Sequence, residues 1–559
     1  MKFFILVLTL YFIRTLRNLL YQIFLWQLKE YRLDRMLAHL RTPLGRKLII
    51  SPLSAIKRIL FFIFLILFAY TLVFGHDLIS GIFFHKIGGL LLIFSFFVLP
   101  ILIYIFEGLL NIFEIITRGW RIPRWTLKSV FIFLISVTII LLLSSLTEFW
   151  RGIDYTNLII TSLLIDNLLA LIVLSSVIIL NIPAYVLKQV FIFLARKKIL
   201  KMNNLITIGI TGSYGKTSTK EFLAAILSEK FKVAKTPEFT NTDIGIAKYI
   251  LKELTSGHNI FIVEMGAYKK GEIKTICDMV KPKFGVITGI NEQHLELFGS
   301  IENTKRAKFE LIESLPKDGV AIFNGNNIHC LEMAKWIRRR ILKTVIYNTD
   351  SNVKNIEIFR DHIAFNLISE SKSYKFRTSL LGVQSIENLL SAVYVAKDLG
   401  MIMGEIQKAT SYIVSPLKTM QFKGMENGAT LIDDTFNANP DGVLAAVDYM
   451  KIFKGKKILV LTPLIELGEE AEKIHERLGE KTAKTCDLIL LTNLNYNESF
   501  IDGAKKISAE EKVQIVNTSL GVKLVRENFD KDGVIIFEGK EAGRILHQLT
   551  NSLPAQAGY

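Results

Sequence analysis

Residues 205–219 read LITIGITGSYGKTST, and they decide the architecture of the larger part of the chain. The apolar run 205–210 predicts a buried strand. Thr211-Gly-Ser-Tyr-Gly-Lys-Thr-Ser-Thr219 then makes a glycine-rich turn, and the periodicity to about residue 229 predicts a helix. Strand, glycine turn and helix in that order form a phosphate-binding loop. Gly212 and Gly215 let backbone N–H groups curl around phosphate oxygens, and the helix N-terminus adds its positive dipole end. Lys216 is placed to neutralise the outer phosphates and the Thr217 hydroxyl to hold Mg²⁺. Gly212, Ser213, Gly215, Lys216, Thr217 and Ser218 are therefore the expected nucleotide-binding set. The strict spacing would put a further glycine at position 210, where this chain has Ile210.

Outward from that loop, the sequence divides at about residue 200. Of 68 Lys+Arg and 51 Asp+Glu, residues 1–200 hold 21 and 8, so +13 of the net +17 lies there. The remainder is close to neutral, which excludes a nucleic-acid-binding reading of the basic balance. The N-terminal part is also the apolar part. Four stretches, about 59–79, 87–106, 129–147 and 158–182, are long enough to cross roughly 30 Å of hydrocarbon. A fifth, 3–26, is long enough but contains Arg14 and Arg17. Basic residues crowd alternate loops (Lys29 to Arg58, Arg118 to Lys128, Arg196 to Lys198), and the positive-inside rule makes those loops cytoplasmic. The expectation is a multi-pass protein of the cytoplasmic membrane, in contact with lipid, with residues from about 200 onward in the cytoplasm. Residues 184–195 are expected to lie along the interface. Asp166, inside the last span, is the costly residue there. No signal-peptide cleavage site follows residues 3–13. The three cysteines, Cys277, Cys330 and Cys486, are far apart, excluding a disulfide framework or a cysteine zinc site.

Downstream, the strand-like 260–263 ends in Glu264, a carboxylate placed for Mg²⁺ at the end of a parallel strand. Residues 287–290 read as another strand, leading into Asn291-Glu-Gln-His294. A charged helix follows with Lys308 in Asn303-Thr-Lys-Arg-Ala-Lys-Phe-Glu310. Thr236-Pro-Glu-Phe-Thr-Asn-Thr-Asp-Ile-Gly245 lies between loop and metal strand. Gly382-Val-Gln-Ser-Ile-Glu-Asn388 opens a helix, and Asp433-Asp-Thr-Phe-Asn-Ala-Asn-Pro440 forms a polar turn after a strand at 429–432.

From about 205 to 545 the order and spacing of these motifs resemble the Mur ligases of cell-wall peptide synthesis, in particular the branch that adds D-Ala-D-Ala. The Asp433–Pro440 turn matches that branch almost letter for letter. The apolar stretches make residues 1–199 an α-helical transmembrane domain, and the resemblance implies after it a Rossmann-like α/β ATP-binding central domain (200–413) and a smaller α/β C-terminal domain (414–559). It implies an ATP-dependent, ADP-forming ligase that joins a carboxylate to an amine through an acyl phosphate, with two Mg²⁺ ions. By the same resemblance Glu264, His294 and Thr217 bind magnesium, and Lys308 does so as a carbamate. Lys216, Lys308, His294 and Glu264 form the catalytic set, and Thr236 and Asn241 meet the substrate. Asn388, Asp434 (at the ribose), Asn437 and Asn439 complete the nucleotide site. Departures are Glu238 and Thr242, Gln384 and Ser385, and Lys418-Thr419 where Gly-Arg is usual. Glu538-Gly-Lys540 stands where relatives tend to have Lys-Gly-Ser, and Glu466-Leu-Gly468 with His475 receives no catalytic assignment. The soluble UDP-sugar-binding domain of the bacterial enzymes has no counterpart before the phosphate loop. The expected partners are therefore an amino acid or dipeptide amine and a carboxylate acceptor, either an envelope precursor that is lipid-linked or held at the membrane surface or a soluble UDP-muramoyl peptide. A poly-γ-glutamate-type synthetase and a non-ligating membrane ATPase or scaffold are the competing readings.

Overall fold

The computed structural model describes residues 2–41, 54–63, 66, 98–117, 119–151, 155–337, 343–426 and 428–551. Two compact units result, 1–188 and 189–559.

The first unit is helical. Lys2–Leu28 is one continuous helix, followed by Leu33–Arg41, Leu99–Thr117, Leu127–Arg151 and the 46-residue Tyr155–Leu200. Three described segments, Leu99–Thr117, Leu127–Leu146 and Ile159–Leu200, are long and apolar enough to cross a membrane. Most of the expected spans 59–79 and 87–106 falls outside the described residues, and the helix that begins at Leu99 runs on to Thr117. The expected break after residue 182 is absent. Pro183 sits inside the helix, which continues to Leu200. At about 1.5 Å per residue this helix is roughly twice as long as the hydrocarbon is thick. Leu19, Ile23, Trp26, Ile132, Leu169 and Val173 make the unit's apolar core. Gly108 permits close approach to the first helix, because a Cβ there would stand 2.7 Å from Cβ of Leu10. Asp166 is no lone polar contact: it and Glu107 are ion-paired to both Arg14 and Lys57, with all four side chains largely buried.

In the second unit the sequence pattern gives two parallel sheets. β1 (Ile206–Thr211), β2 (Val233–Lys235), β3 (Ile260–Glu264), β4 (Phe284–Ile287), β5 (Val320–Asn324) and β6 (Lys343–Tyr347) order as β2-β3-β1-β4-β5-β6. β3, β4 and β5 are buried along their whole length, as strands covered on both faces must be. Helices Lys216–Ser228 and Gln384–Asp398 bury Phe222, Leu223, Ile226 and Leu389 on one face. Helices Glu272–Val280 and Ile301–Glu313 bury Ile273, Ile276, Leu311 and Ile312 on the other. β1 lies between β3 and β4, so the turn after it opens where the winding reverses, the usual place for a ligand in such sheets.

The antiparallel sheet of β7 (Val353–Ile358), β8 (Ile363–Ser369) and β9 (Lys372–Thr378) was not signalled by any motif. It extends the first core, with Phe365 stacked on its register partner Phe376. The last sheet orders β10-β11-β15-β12-β13-β14. Its members are β10 (Gln421–Glu426), β11 (Ala429–Asp434), β12 (Lys457–Leu461), β13 (Leu488–Leu491), β14 (Val513–Ile515) and β15 (Val534–Glu538). Only the edge strand β10 is antiparallel to its neighbour.

Candidate active site

The turn after β1 is held by its neighbours. The Ser213 N–H donates to Gly289 O at 2.7 Å, and its hydroxyl accepts from Asn291 N at 3.2 Å. The Thr288 hydroxyl donates to Tyr214 O. These bonds explain why β4 stops at Ile287 instead of filling 287–290: the phosphate loop takes up the next residues' backbone. Ser213 thus braces the turn, and Ser218 lies buried in the helix's first turn. Gly215, with φ +76°, starts that helix, and a Cβ there would run into the Asn388 amide. Asn388 is therefore set directly on the loop. Lys216 folds back so that Nζ donates to Gly212 O at 2.8 Å and Ser213 O at 3.0 Å.

Glu264 sits at the end of β3 in register with Ile210. One carboxylate oxygen accepts from the Thr217 hydroxyl at 3.1 Å, the other from Asn241 Nδ2 at 3.4 Å. The Thr236 hydroxyl accepts from Glu264 N at 3.1 Å, so of the two expected substrate residues Thr236 braces the Glu264 backbone and Asn241 its carboxylate. Lys220, one turn beyond Lys216 and fully buried, places Nζ 3.3 Å from Glu264. No motif had marked it, since it sits in the polar stretch Lys216–Glu221 before the apolar run begins at Phe222.

Ser300 caps the helix Ile301–Glu313, which carries Lys308 inward to 3% exposure. Burial pushes this lysine well below its ordinary value, and the Lys216 charge adds to the shift. Lys216 is also lowered by burial, with Glu264 opposing. His294 is lowered chiefly by burial; Glu466 opposes, and Lys216 and Lys308 add to the lowering. These mutual effects place Lys216, Glu264, Lys308 and His294 in one electrostatic cluster. His294 Nδ1 meets Glu466 Oε2 at 2.5 Å, and Glu296 N donates to Glu466 O at 3.1 Å.

The 433–440 turn closes on the same place. Asn439 caps the helix Pro440–Met450 and accepts from Asn291 Nδ2 at 2.8 Å, while Asn437 accepts from Gln293 Nε2 at 2.9 Å. Asn291 also reaches Asp441 at 3.1 Å. Phe436 lies against Phe239, ring centroids 5.2 Å apart. Asp434 accepts from Met420 N at 3.1 Å. Lys418 is exposed, with its backbone bonded to Gln421 and Phe436. His475 is a core residue, accepting from Leu464 N at 3.0 Å. Asn291, Gln293 and Glu466 are the residues whose part in the site the motifs did not reveal.

Magnesium prefers hard oxygen donors. Glu264 and Thr217 supply them, but among the described residues no three His, Asp, Glu or Cys side chains are grouped to hold a metal. Lys308, enclosed and held well below its ordinary pKa by burial, lies in the same electrostatic cluster.

Family comparisons agree with this geometry. The model of the Mur ligase middle domain matches residues 210–396, and that of the Mur ligase glutamate ligase domain matches 420–540. The chain belongs to the Mur ligase family. Among curated Mur ligases, the UDP-N-acetylmuramoyl-tripeptide--D-alanyl-D-alanine ligase of Haemophilus influenzae is 31% identical over 309 residues, 54% of this chain and 66% of that protein. The Bacillus subtilis ligase of the same name is 27% identical over 349 residues, 62% of this chain and 75% of its own. The chain spans just under two thirds of the length of the first such relatives. A crystal structure of MurF from Acinetobacter baumannii superposes with TM-score 0.60 at 25% identity, covering 65% of this chain and 81% of that one. A MurF ligase from Thermotoga maritima in complex with ADP gives 0.59 at 23%, covering 65% and 83%, and supports the fold.

Proposed function

We propose that this Mur ligase joins the carboxylate of a cell-envelope peptide precursor to the amine of an amino acid or dipeptide at the cytoplasmic membrane, using ATP. The observation that carries the reading is the built phosphate loop with Glu264 bonded to Thr217, alongside Lys216, His294 and an enclosed Lys308 whose pKa burial lowers. The named relatives add D-alanyl-D-alanine to a UDP-linked tripeptide.

In this reading Lys216 leaves the carbonyls of Gly212 and Ser213 and turns to the phosphate oxygens. The acceptor carboxylate forms a bond to the terminal phosphorus, and ADP departs. The amine then attacks the acyl carbon, phosphate leaves, and the amine gives up a proton. Magnesium held by Thr217, Glu264, His294 and carbamylated Lys308 would supply neutralisation of the charge on the transferred group. Asn388 keeps the loop's shape, while Asn437 and Asn439 tie the 433–440 turn to Gln293 and Asn291, closing the site against water. The long apolar helices and the basic loops of residues 1–200 support a multi-pass anchor, and an acceptor presented on a lipid carrier suits an enzyme so placed.

The test uses the full-length protein in lipid with ATP, Mg²⁺ and D-alanyl-D-alanine. UDP-linked and lipid-linked tripeptides are offered separately, products are read by mass spectrometry, and Lys216→Ala serves as control. A Lys216-dependent amide product supports the ligase and names its acceptor. Phosphate release without product on any acceptor would favour the scaffold reading.

A further inference from the structure

β11 and β15 end beside the 433–440 turn and bring together two acids that the reaction above does not use as a pair. The strands are parallel neighbours, and Asp434 and Glu538 are register partners at their last residues. Partners in register point to the same face. Glu538 is 1% exposed, and its Oε1 has no hydrogen-bond partner. Two carboxyls on one face at neighbouring strand ends, one of them buried with an orphaned oxygen, are relieved when one holds a proton and donates it to the other.

The surroundings leave that proton in place. Asp433, the third acid of the corner, accepts from the N–H and hydroxyl of Thr435 at 3.2 and 2.6 Å. Lys423 of β10 faces Asp433 at 3.6 Å. From the β12 side Thr462 N reaches only the Glu538 backbone carbonyl, at 2.8 Å. Burial and the neighbouring charge raise Asp434 to about 6 and Glu538 well above the carboxylate range. Both shifts favour a pair that keeps a proton.

We propose that Glu538 is a positioning residue for the nucleotide: it donates a hydrogen bond to Asp434 and so holds that carboxylate, singly charged, as the acceptor for the sugar hydroxyls. The inference rests on the placement of Asp434 at the ribose. When pH rises far enough to remove the shared proton, two charges face each other in a buried corner and the acceptor is lost.

The experiment measures ADP affinity by calorimetry on the full-length protein in lipid from about pH 6.5 to 9.5, for wild type, Glu538→Gln, Glu538→Ala and Asp434→Asn. Glutamine keeps a donor and cannot ionise. Its affinity should stay within about twofold of wild type near neutrality and remain flat where wild type weakens, by up to about tenfold per pH unit beyond the upper pKa. Glu538→Ala should bind more weakly at every pH. Parallel profiles for Glu538→Gln and wild type would overturn the role of Glu538. An Asp434→Asn protein that binds ADP as wild type does would instead remove the ribose placement on which the proposal stands. The infrared C=O band of a protonated carboxyl, absent from Glu538→Gln, reports the acid pair independently of either result.

Discussion

His294 and Glu466 lie 172 residues apart and share a hydrogen bond of 2.5 Å. The first ends the loop after β4; the second comes from the segment that follows β12. A carboxylate on Nδ1 fixes the ring's rotation, and in the proposed function Nε2 would then be the atom offered to magnesium. Because burial lowers His294, the ring is neutral near pH 7, the form that can accept a metal. Glu466→Gln should raise the Mg²⁺ concentration for half-maximal ATP turnover by roughly 10–100-fold, the usual size of such outer-shell effects. Metal-free ADP affinity should change by less than about twofold. Titrating turnover with Mg²⁺ checks this, and an unchanged midpoint would detach Glu466 from the metal site.

Lys308 makes a prediction about stability that needs no substrate. Its folded pKa lies well below the value of about 10.4 in the unfolded chain. Between those two values the unfolded state binds more protons, so stability rises with pH and is lost as pH falls through the folded value. Lys308→Met removes the ionisable group while keeping the apolar stem. It should raise the melting temperature at the acidic end of the range and confer little at alkaline pH, measured by thermal unfolding without Mg²⁺. In ligase assays the same variant should be nearly inactive, and wild type should lose activity when dissolved CO₂ is removed.

Much of this site was legible because its chemistry is local in sequence. The turn 211–219 announces strand, loop and helix within fifteen residues, and Glu264 and Asp433–Pro440 stand at strand ends where apolar runs give way to polar ones. What sequence could not give was partnership across long separations. Asn291 and Gln293 sat beside His294 in a quoted motif, yet their function lies in Asn439 and Asn437, more than 140 residues away. Lys220 looked like one more helix lysine, since nothing in a periodic pattern tells which face meets the end of β3. The span expected to end near residue 182 continues as helix to Leu200 past Pro183, because a proline removes only one N–H and a long apolar helix can continue past it.

Gly215 tests whether the phosphate loop is shaped from outside. An alanine there must adopt φ near +76°, which costs a non-glycine residue on the order of 1–2 kcal/mol. It also meets the Asn388 amide. Gly215→Ala should abolish measurable ATP binding, and adding Asn388→Ala should recover part of it, because the collision is relieved while the backbone strain remains. Nucleotide affinity of the two proteins, with Asn388→Ala alone as reference, separates the terms. Equal loss in both would mean that backbone strain alone decides.

The charged cluster of the helical unit yields the last prediction. Arg14, Lys57, Glu107 and Asp166 come from four separate segments of the chain and balance to zero. Removing one member leaves a buried charge uncompensated, which typically costs about 3–5 kcal/mol, whereas removing an opposite pair keeps neutrality and can cost far less. Asp166→Leu and Arg14→Met should each lower the unfolding midpoint in mild detergent. The double variant Arg14→Met/Asp166→Leu, in which Lys57 still faces Glu107, should recover most of the loss. Midpoints from detergent-titrated circular dichroism, set out as a double-mutant cycle, give the coupling directly. Additive losses would show that each residue matters only through its own packing. A large coupling would make the cluster the electrostatic clasp that holds these helices in one arrangement.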